Sequence, residues 1–228
     1  MDVTPLRKAA RRGLAEEAAD RVRDAIFAGH FPPGAPLREV ELAASLEISR
    51  GSVREGLFQL EREGLVQGGW HRPTTVVEVT PGDVEEVYSL RAALDRLAAT
   101  TARASATPGD LTRLDELVDT MAAEAAHADG PRLLALDIAF HDHVYTAAGN
   151  RRLTDAWQAV RSQVYLFQLQ RVSLGHDHYR SRVVAEHREL ANLVRDGDPG
   201  ALARVAEEHV GSARRSLLTS LAEARKPL

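Results

Sequence analysis

Ser49-Arg50-Gly51-Ser52-Val53-Arg54-Glu55-Gly56-Leu57, running on through Phe58-Gln59-Leu60-Glu61-Arg62-Glu63 to Gly64, is the stretch that decides how this chain folds. Val53, Leu57 and Leu60 recur at i, i+4 and i+7 and lay one apolar face along a helix. Ser49 stands where an N-cap is expected and Gly64 where a helix stops. Arg50 and Arg54, four residues apart, meet near the helix start. Arginines at that end can point at base edges and phosphates in a major groove. The same pattern also describes an amphipathic surface helix with ordinary arginines, so the flanks must decide.

Upstream, Ala18, Val22, Ala25 and Ile26 give residues 15–29 the buried stripe of a helix ending at Gly29. Phe31-Pro32-Pro33-Gly34 is a turn, Val40, Leu42, Ala43 and Leu46 support a short helix over 39–46, and Glu47-Ile48 turns into the arginine-bearing helix. Downstream, Leu65-Val66-Gln67 and the Thr/Val-rich Thr74–Val79 read as two short strands around a turn at Gly68–Pro73. Helix, short helix, arginine-bearing helix and hairpin together make a winged helix-turn-helix. Residues 1–14 hold Arg7, Lys8, Arg11 and Arg12 with little apolar content, and read as a flexible basic arm or simply a solvated terminus.

These flanks resemble the GntR family of bacterial transcription regulators. The resemblance rests on Ile26 and Gly29, Pro33-Gly34 and Leu37, Glu41-Leu42-Ala43, Ser49-Arg50, Val53-Arg54-Glu55, Leu57, Leu60 and Glu63-Gly64-Leu65-Val66, and covers residues 15–79. It implies double-stranded DNA as partner. Ser49, Arg50, Gly51, Ser52 and Arg54 would meet the DNA, with Arg38 and the wing residues His71 and Arg72 assisting. Gly51-Ser52 stands where the family usually has Thr-Pro, and the wing tip reads Trp70-His71-Arg72-Pro73 in place of a lone Gly after a basic residue. Both departures bear on which operator is read.

Composition bounds the rest. The chain has 228 residues, a net charge of −4 and no cysteine. That length suits two domains. Disulfides and thiolate metal sites are excluded, and a cytoplasmic location is expected. There is no run of 18 apolar residues and no signal-type apolar segment after the basic start, so no membrane partner is expected. Residues 1–80 hold 11 Lys+Arg against 12 Asp+Glu. DNA binding must therefore come from local placement of arginines rather than bulk charge.

After residue 80 the character changes. Capping residues followed by proline, at Thr80-Pro81, Thr107-Pro108, Gly130-Pro131 and Asp198-Pro199, mark helix starts. With Gly149 and Gly197 as stops, six helices follow: 81–105, 108–127, 131–148, 151–172, 178–196 and 199–224. The expected fold is mainly α, an N-terminal winged helix-turn-helix over 15–79 followed by a C-terminal all-α six-helix antiparallel bundle over 80–228.

Several polar residues fall where core residues belong. Leu134, Ile138, His141 and Tyr145 share one face, with Asp137 one turn before His141. Val183, His187, Leu190 and Val194 form a second stripe, and Leu202, Val205 or Ala206, His209, Ala213 and Leu217 a third. Each inward histidine alone is accounted for by a buried hydrogen bond. Three of them with a carboxylate would need four separate partners, whereas one divalent ion satisfies all. Three imidazole nitrogens and a carboxylate oxygen suit Zn²⁺, Ni²⁺, Mn²⁺ or Fe²⁺ with positions left open. His143 should face away by helical geometry. Arg91, in the stripe Val87, Arg91, Leu94, Ala98, is either a local partner of Asp95 or a clamp for an anion. Arg161 is a surface residue or a second contributor to an effector pocket.

This half resembles the ligand-binding FCD domain of the FadR branch of GntR regulators, over about residues 81–223. Leu90-Arg91 with Leu94-Asp95, Asp137-Ile138-Ala139-Phe140-His141, Ala147–Leu153, Glu186-His187, Gly197-Asp198 and Glu208-His209 carry the likeness. It implies that Asp137, His141, His187 and His209 are the family's metal ligands, and so the metal-binding type rather than the fatty-acyl-CoA type. Asp95 replaces the usual Glu, and six helices rather than seven point to the shorter, VanR-like arrangement. The expected function is a homodimeric repressor on a palindromic operator, controlled by a small organic acid effector held at the metal and by Arg91 and Arg161. Three alternatives stay open: a sensor in which the ion itself is the signal, a metal-dependent hydrolase fused to a DNA-binding module, and a purely structural metal. No general base is evident outside the four ligands, and no catalytic residue is assigned.

Overall fold

In the computed structural model, which describes residues 12–69, 72–126, 130–174 and 178–224, the Ser49 side chain accepts a hydrogen bond from Ser52 N and starts the arginine-bearing helix. The chain divides into two compact units, with the boundary between Glu78 and Val79. The first contains α1 (Arg12–Phe27), α2 (Glu39–Ser45), α3 (Arg50–Arg62) and an antiparallel hairpin of β1 (Val66–Gly69) and β2 (Arg72–Val76). Ala18, Ala19, Val22 and Ile26 of α1 pack with Val53, Leu57 and Leu60 of α3 in its core. α1 starts at Arg12, inside the stretch expected to be the arm, and ends two residues before Gly29; residues 1–11 lie outside the described residues.

Three features position α3. Glu47, between α2 and α3, adopts φ +55°, a left-handed conformation unusual for a non-glycine residue, and closes the tight turn that sets one helix across the other. Gly56 lies so close to α1 that an added Cβ would meet Ala15 O at 2.9 Å and Ala18 Cβ at 3.0 Å. A part-buried pair, Arg23 Nε and Nη2 to Glu63 at 2.8 and 2.7 Å, ties α1 to the end of α3.

The wing differs from expectation in both extent and partners. Its strands reach further into the turn, to Gly69 and Arg72, and β2 stops at Val76. The segment read as a turn before Leu37 also pairs with β2. Pro36 bridges Thr75, Gly34 N donates to Val76 O at 2.9 Å and Leu37 N to Thr74 O at 2.8 Å. Backbone groups of β2 that the hairpin leaves free thus find partners upstream. Pro73 is tolerated because it lies near the start of β2 at the register irregularity between Gln67 and Gly69, where the β1–β2 ladder gives it no pairing partner among the described residues.

The second unit is all helix: α4 (Pro81–Ser105), α5 (Pro108–Ala125), α6 (Gly130–Ala147), α7 (Arg151–Ser173), α8 (His178–Asp196) and α9 (Pro199–Ala224). Thr80 with Asp83, and Thr107 with Asp110, form reciprocal capping boxes around Pro81 and Pro108, so the starts of α4 and α5 follow from local chemistry. Asn150 caps α7, and Asp198 accepts from Ala201 N at the start of α9. Trp157, Tyr88, Tyr145 and Phe140 fill the core, with α4 packed against α6, α7, α8 and α9. Among the described residues no helix is long and apolar enough to cross a membrane.

Replacing Gly56 by Val forces atoms into backbone of α1 that cannot yield locally. The expected loss of stability is about 1–3 kcal/mol, read by urea denaturation of the full chain, and unchanged stability would show that α1 can move away from α3.

Candidate metal centre and nucleic-acid interface

On α3 and its neighbours the structure brings most of the expected DNA-facing residues to one exposed surface. Arg54 donates from Nε and Nη2 to the two oxygens of Glu39 at 2.8 and 2.7 Å, and Arg50 Nη2 lies 3.8 Å from the same carboxylate. Arg38 reaches Glu41 at 2.9 Å. Ser49 and Ser52 share a hydroxyl–hydroxyl bond of 2.9 Å, and Gly51 is exposed between them. His71 and the side chain of Arg72 lie outside the described residues. Glu39 of α2 was not singled out from sequence; it holds both α3 arginines, and the Arg54 guanidinium in turn lowers its carboxyl below the ordinary range.

In the helical unit, Asp137 and His141 from α6, His187 from α8 and His209 from α9 present one ligand atom each, all within 4.8 Å of one another. The His187 and His209 ring centroids are 4.9 Å apart, and each lies 5.3 Å from that of His141. Each histidine is fixed by its other nitrogen. His187 Nδ1 is 2.7 Å from Val183 O, and since a carbonyl only accepts, Nδ1 carries the proton and Nε2 a bare lone pair. His209 Nδ1 is 3.1 Å from Glu186, and His141 Nδ1 3.4 Å from Asp95. Asp137 accepts from Tyr179 OH through Oδ2 at 3.0 Å, leaving Oδ1 to face the rings.

The inner atoms have no hydrogen-bond partner among the described residues. Asp137 Oδ1 lies 3.2 Å from His187 Nε2 and 3.4 Å from His141 Nε2, yet all three are buried without a hydrogen bond. Left so, each would cost about 1–3 kcal/mol. Burial opposes ionisation of Asp137, but His187 and His141 outweigh it and hold its carboxyl well below the usual range. Burial pushes the His209 imidazole down to about 4. An ionised carboxylate and a neutral imidazole are the forms that bind a metal. The residues therefore fit a divalent ion, and would hold it through one oxygen and three nitrogens.

Arg91 is fully buried. Its Nε donates to Asp95 at 3.2 Å, while Nη1 and Nη2 have no partner among the described residues and the group sits 5.8–5.9 Å from the ring centres of Trp157 and Tyr88. Tyr145 OH completes Asp95 at 2.6 Å. Arg91 thus backs Asp95, which backs His141. Arg161 departs from expectation. Its Nε and Nη2 grip Asp142 at 2.7–3.0 Å beside Trp157 Nε1, also on Asp142 at 2.7 Å, so this guanidinium is committed within the fold rather than to an effector. His143 turns from the cluster to Asp110 O at 3.1 Å.

Among the described residues three cavities adjoin the centre, one of them, of about 320 Å³, reaching it only at His209 and running outward past Glu189, Arg204 and Glu208. Another, of about 150 Å³, is lined by Asp137 and His209 together with Gln168, Arg171, Tyr179 and Ser216. A smaller apolar one lies beside His141, Phe140 and Val144. Arg171 was missed in the sequence although a signal exists: Val160, Val164, Phe167 and Arg171 recur at helical spacing, the pattern that made Arg91 conspicuous, and all four are buried.

A family model described as "Bacterial regulatory proteins, gntR family" matches residues 14–76, and one described as "FCD domain" matches residues 86–212. The chain belongs to the GntR family, in its FCD-bearing branch. It is a DNA-binding transcriptional regulator, as are its relatives. The "Uncharacterized HTH-type transcriptional regulator YdhC" of Bacillus subtilis (strain 168) is 27% identical over 192 residues, covering 84% of this chain and 83% of that one. The "Probable D-xylose utilization operon transcriptional repressor" of Paenarthrobacter nicotinovorans is 28% identical over 212 residues, covering 93% and 92%. The solved structure of E. coli McbR/YncC, at 19% identity over 92% of this chain and 99% of that one, shares the fold with a TM-score of 0.80.

Removing Asp95 leaves the Arg91 charge buried and alone. Asp95→Ala is expected to cost about 3–5 kcal/mol, and a further Arg91→Met change to recover most of it. Urea denaturation of the single and double variants checks this, and a double variant no more stable than Asp95→Ala would show that Arg91 has another anionic partner.

Proposed function

We propose that this GntR regulator is a repressor whose hold on a palindromic operator is set by a small carboxylate metabolite bound at a divalent ion in the FCD unit. The observation that carries this is the set of inward lone pairs of Asp137, His141 and His187, buried without a hydrogen bond while their outer atoms are fixed by Tyr179, Asp95 and Val183 O. His209, fixed by Glu186, supplies the fourth ligand. Four protein ligands leave room in the shell of Zn²⁺, Ni²⁺, Mn²⁺ or Fe²⁺ for an acid oxygen. The ion supplies a fixed positive charge for the incoming carboxylate, and the protein residues orient it. Repression is supported by one relative, the probable D-xylose utilization operon transcriptional repressor of Paenarthrobacter nicotinovorans.

The protein would act as a homodimer, presenting two α3 helices to half-sites about one helical turn apart. Ser49, Arg50, Gly51, Ser52 and Arg54 form the reading surface, with Arg38, His71 and Arg72 beside it. The acid alters DNA affinity to the extent that it binds the DNA-competent and DNA-incompetent states unequally.

Protein purified without chelator is expected to carry about one divalent ion per chain by elemental analysis, and His187→Ala to lose it. Retained metal in that variant would overturn the ligand set. Arg54→Ala is expected to weaken operator binding by ~1–3 kcal/mol at fixed salt, measured by fluorescence anisotropy. Unchanged affinity would remove Arg54 from the reading surface.

A further inference from the structure

The cavity of about 150 Å³ beside the cluster has the two metal ligands Asp137 and His209 in its wall, and a cation facing them. Arg171 is only 9% exposed, and among the described residues no carboxylate pairs with it. Its Nε is buried without a hydrogen-bond partner. The guanidinium carbon lies 4.8 Å from the centre of the Tyr179 ring, whose hydroxyl holds Asp137 Oδ2. Arg171 is therefore parked one tyrosine ring away from a ligand of the centre. The other arginine in this wall, Arg182, is already engaged, by Glu186 at 2.6 Å and Ser212 at 3.2 Å.

A buried guanidinium without an anion is costly, and its planar fork matches a carboxylate two-prong to two-prong. Charge counting points the same way. A divalent ion with one aspartate and three neutral imidazoles leaves one positive charge, and Arg171 adds a second. Arg91 and Asp95 cancel each other, as do Arg182 and Glu186. A monocarboxylate neutralises half of what faces the cavity.

Resting on the metal-and-acid reading above, we propose that the effector is a compact dicarboxylic acid, with one carboxylate toward the metal and the other clamped by Arg171. Gln168 and Ser216 line the space between as polar neighbours. A cavity of this volume takes a benzene-sized molecule, about six heavy atoms, and slightly longer acids where it opens outward. That range favours short, unbranched diacids over sugar acids or aromatic diacids. Arg171 thereby sets specificity, distinct from Arg91, which lines none of these adjoining cavities and acts through Asp95.

The test is isothermal titration of the full-length, metal-loaded protein with malonate, succinate and glutarate, each against the monocarboxylate of equal chain length, in wild type, Arg171→Gln and Arg171→Lys. At least one diacid is expected to bind roughly ten- to hundredfold tighter than its monoacid. Arg171→Gln is expected to erase that gap while keeping metal content and monoacid affinity, with a melting temperature equal to or above that of wild type. Arg171→Lys should keep part of the gap, because the charge remains without the fork. Equal binding of mono- and diacids by wild type, or a gap that survives in Arg171→Gln, overturns the assignment of Arg171 and leaves the metal-bound carboxylate standing. A diacid preference that persists after the metal is stripped, and still depends on Arg171, supports the clamp and overturns the metal reading. No binding of any acid by the loaded protein overturns both.

Discussion

Four ligand atoms on three helices, turned toward one point within 4.8 Å of one another, are the constraint around which the helical unit is arranged. A core normally excludes such a meeting. Lone pairs that face each other in a low dielectric repel and lose their water, and nothing apolar nearby repairs the loss. The fold tolerates them because every outer atom is answered: Val183 O for His187, Glu186 for His209, Asp95 for His141, Tyr179 for Asp137. The outer bonds hold three rings and a carboxylate in orientations that their own inner atoms oppose. An arrangement of that kind makes physical sense as a receptor for positive charge.

The support extends a layer further out. Asp95 is held by Arg91 and Tyr145, and Tyr145 stacks on Trp157 at 4.9 Å, whose indole N–H reaches Asp142, the partner of Arg161. From His141 outward, α4, α6 and α7 are thus joined by a chain of polar contacts through an otherwise apolar core. Buried networks of this kind fix a single packing, because a shift in one member leaves a charge or donor without its partner. Helix positions follow from that need as much as from the apolar stripes.

Much of this was legible in the sequence, for reasons that are local. Thr80-Pro81, Thr107-Pro108 and Asp198-Pro199 announce helix starts because cap and proline act within one turn. The three histidine stripes were readable because helical periodicity places a residue inward whatever it later touches. What the sequence hid was pairing across distance. Arg161 has the look of a pocket residue until Asp142, on another helix, is seen to bind it on two prongs. The segment around Pro36 looks like a turn because nothing local reveals that β2 needs its backbone. Arg171 lies on a stripe like that of Arg91, but it falls in the last turn of α7, where a basic residue is ordinary beside the helix C-terminus, so its sequence position does not set it apart.

At the arginine-bearing surface of α2 and α3, the proposed DNA face, the same logic runs with the opposite sign. The first 80 residues carry one more acidic than basic side chain, and Arg54, Arg50 and Arg38 already face Glu39 and Glu41. Held in this way, Arg54 is presented in one orientation while its field is partly cancelled. Exposed pairs of this kind contribute about 0–1 kcal/mol, so a phosphate or a guanine edge can displace the carboxylate at little cost. DNA without a good partner for the fork gains little from the exchange, because it trades one anion for another. Weak bulk attraction and arginines pre-aimed by carboxylates therefore favour discrimination over tight general binding. A surface balanced so closely needs only a modest input to tip it, and coupling free energies of about 1–3 kcal/mol from the helical unit are of the size that would do so.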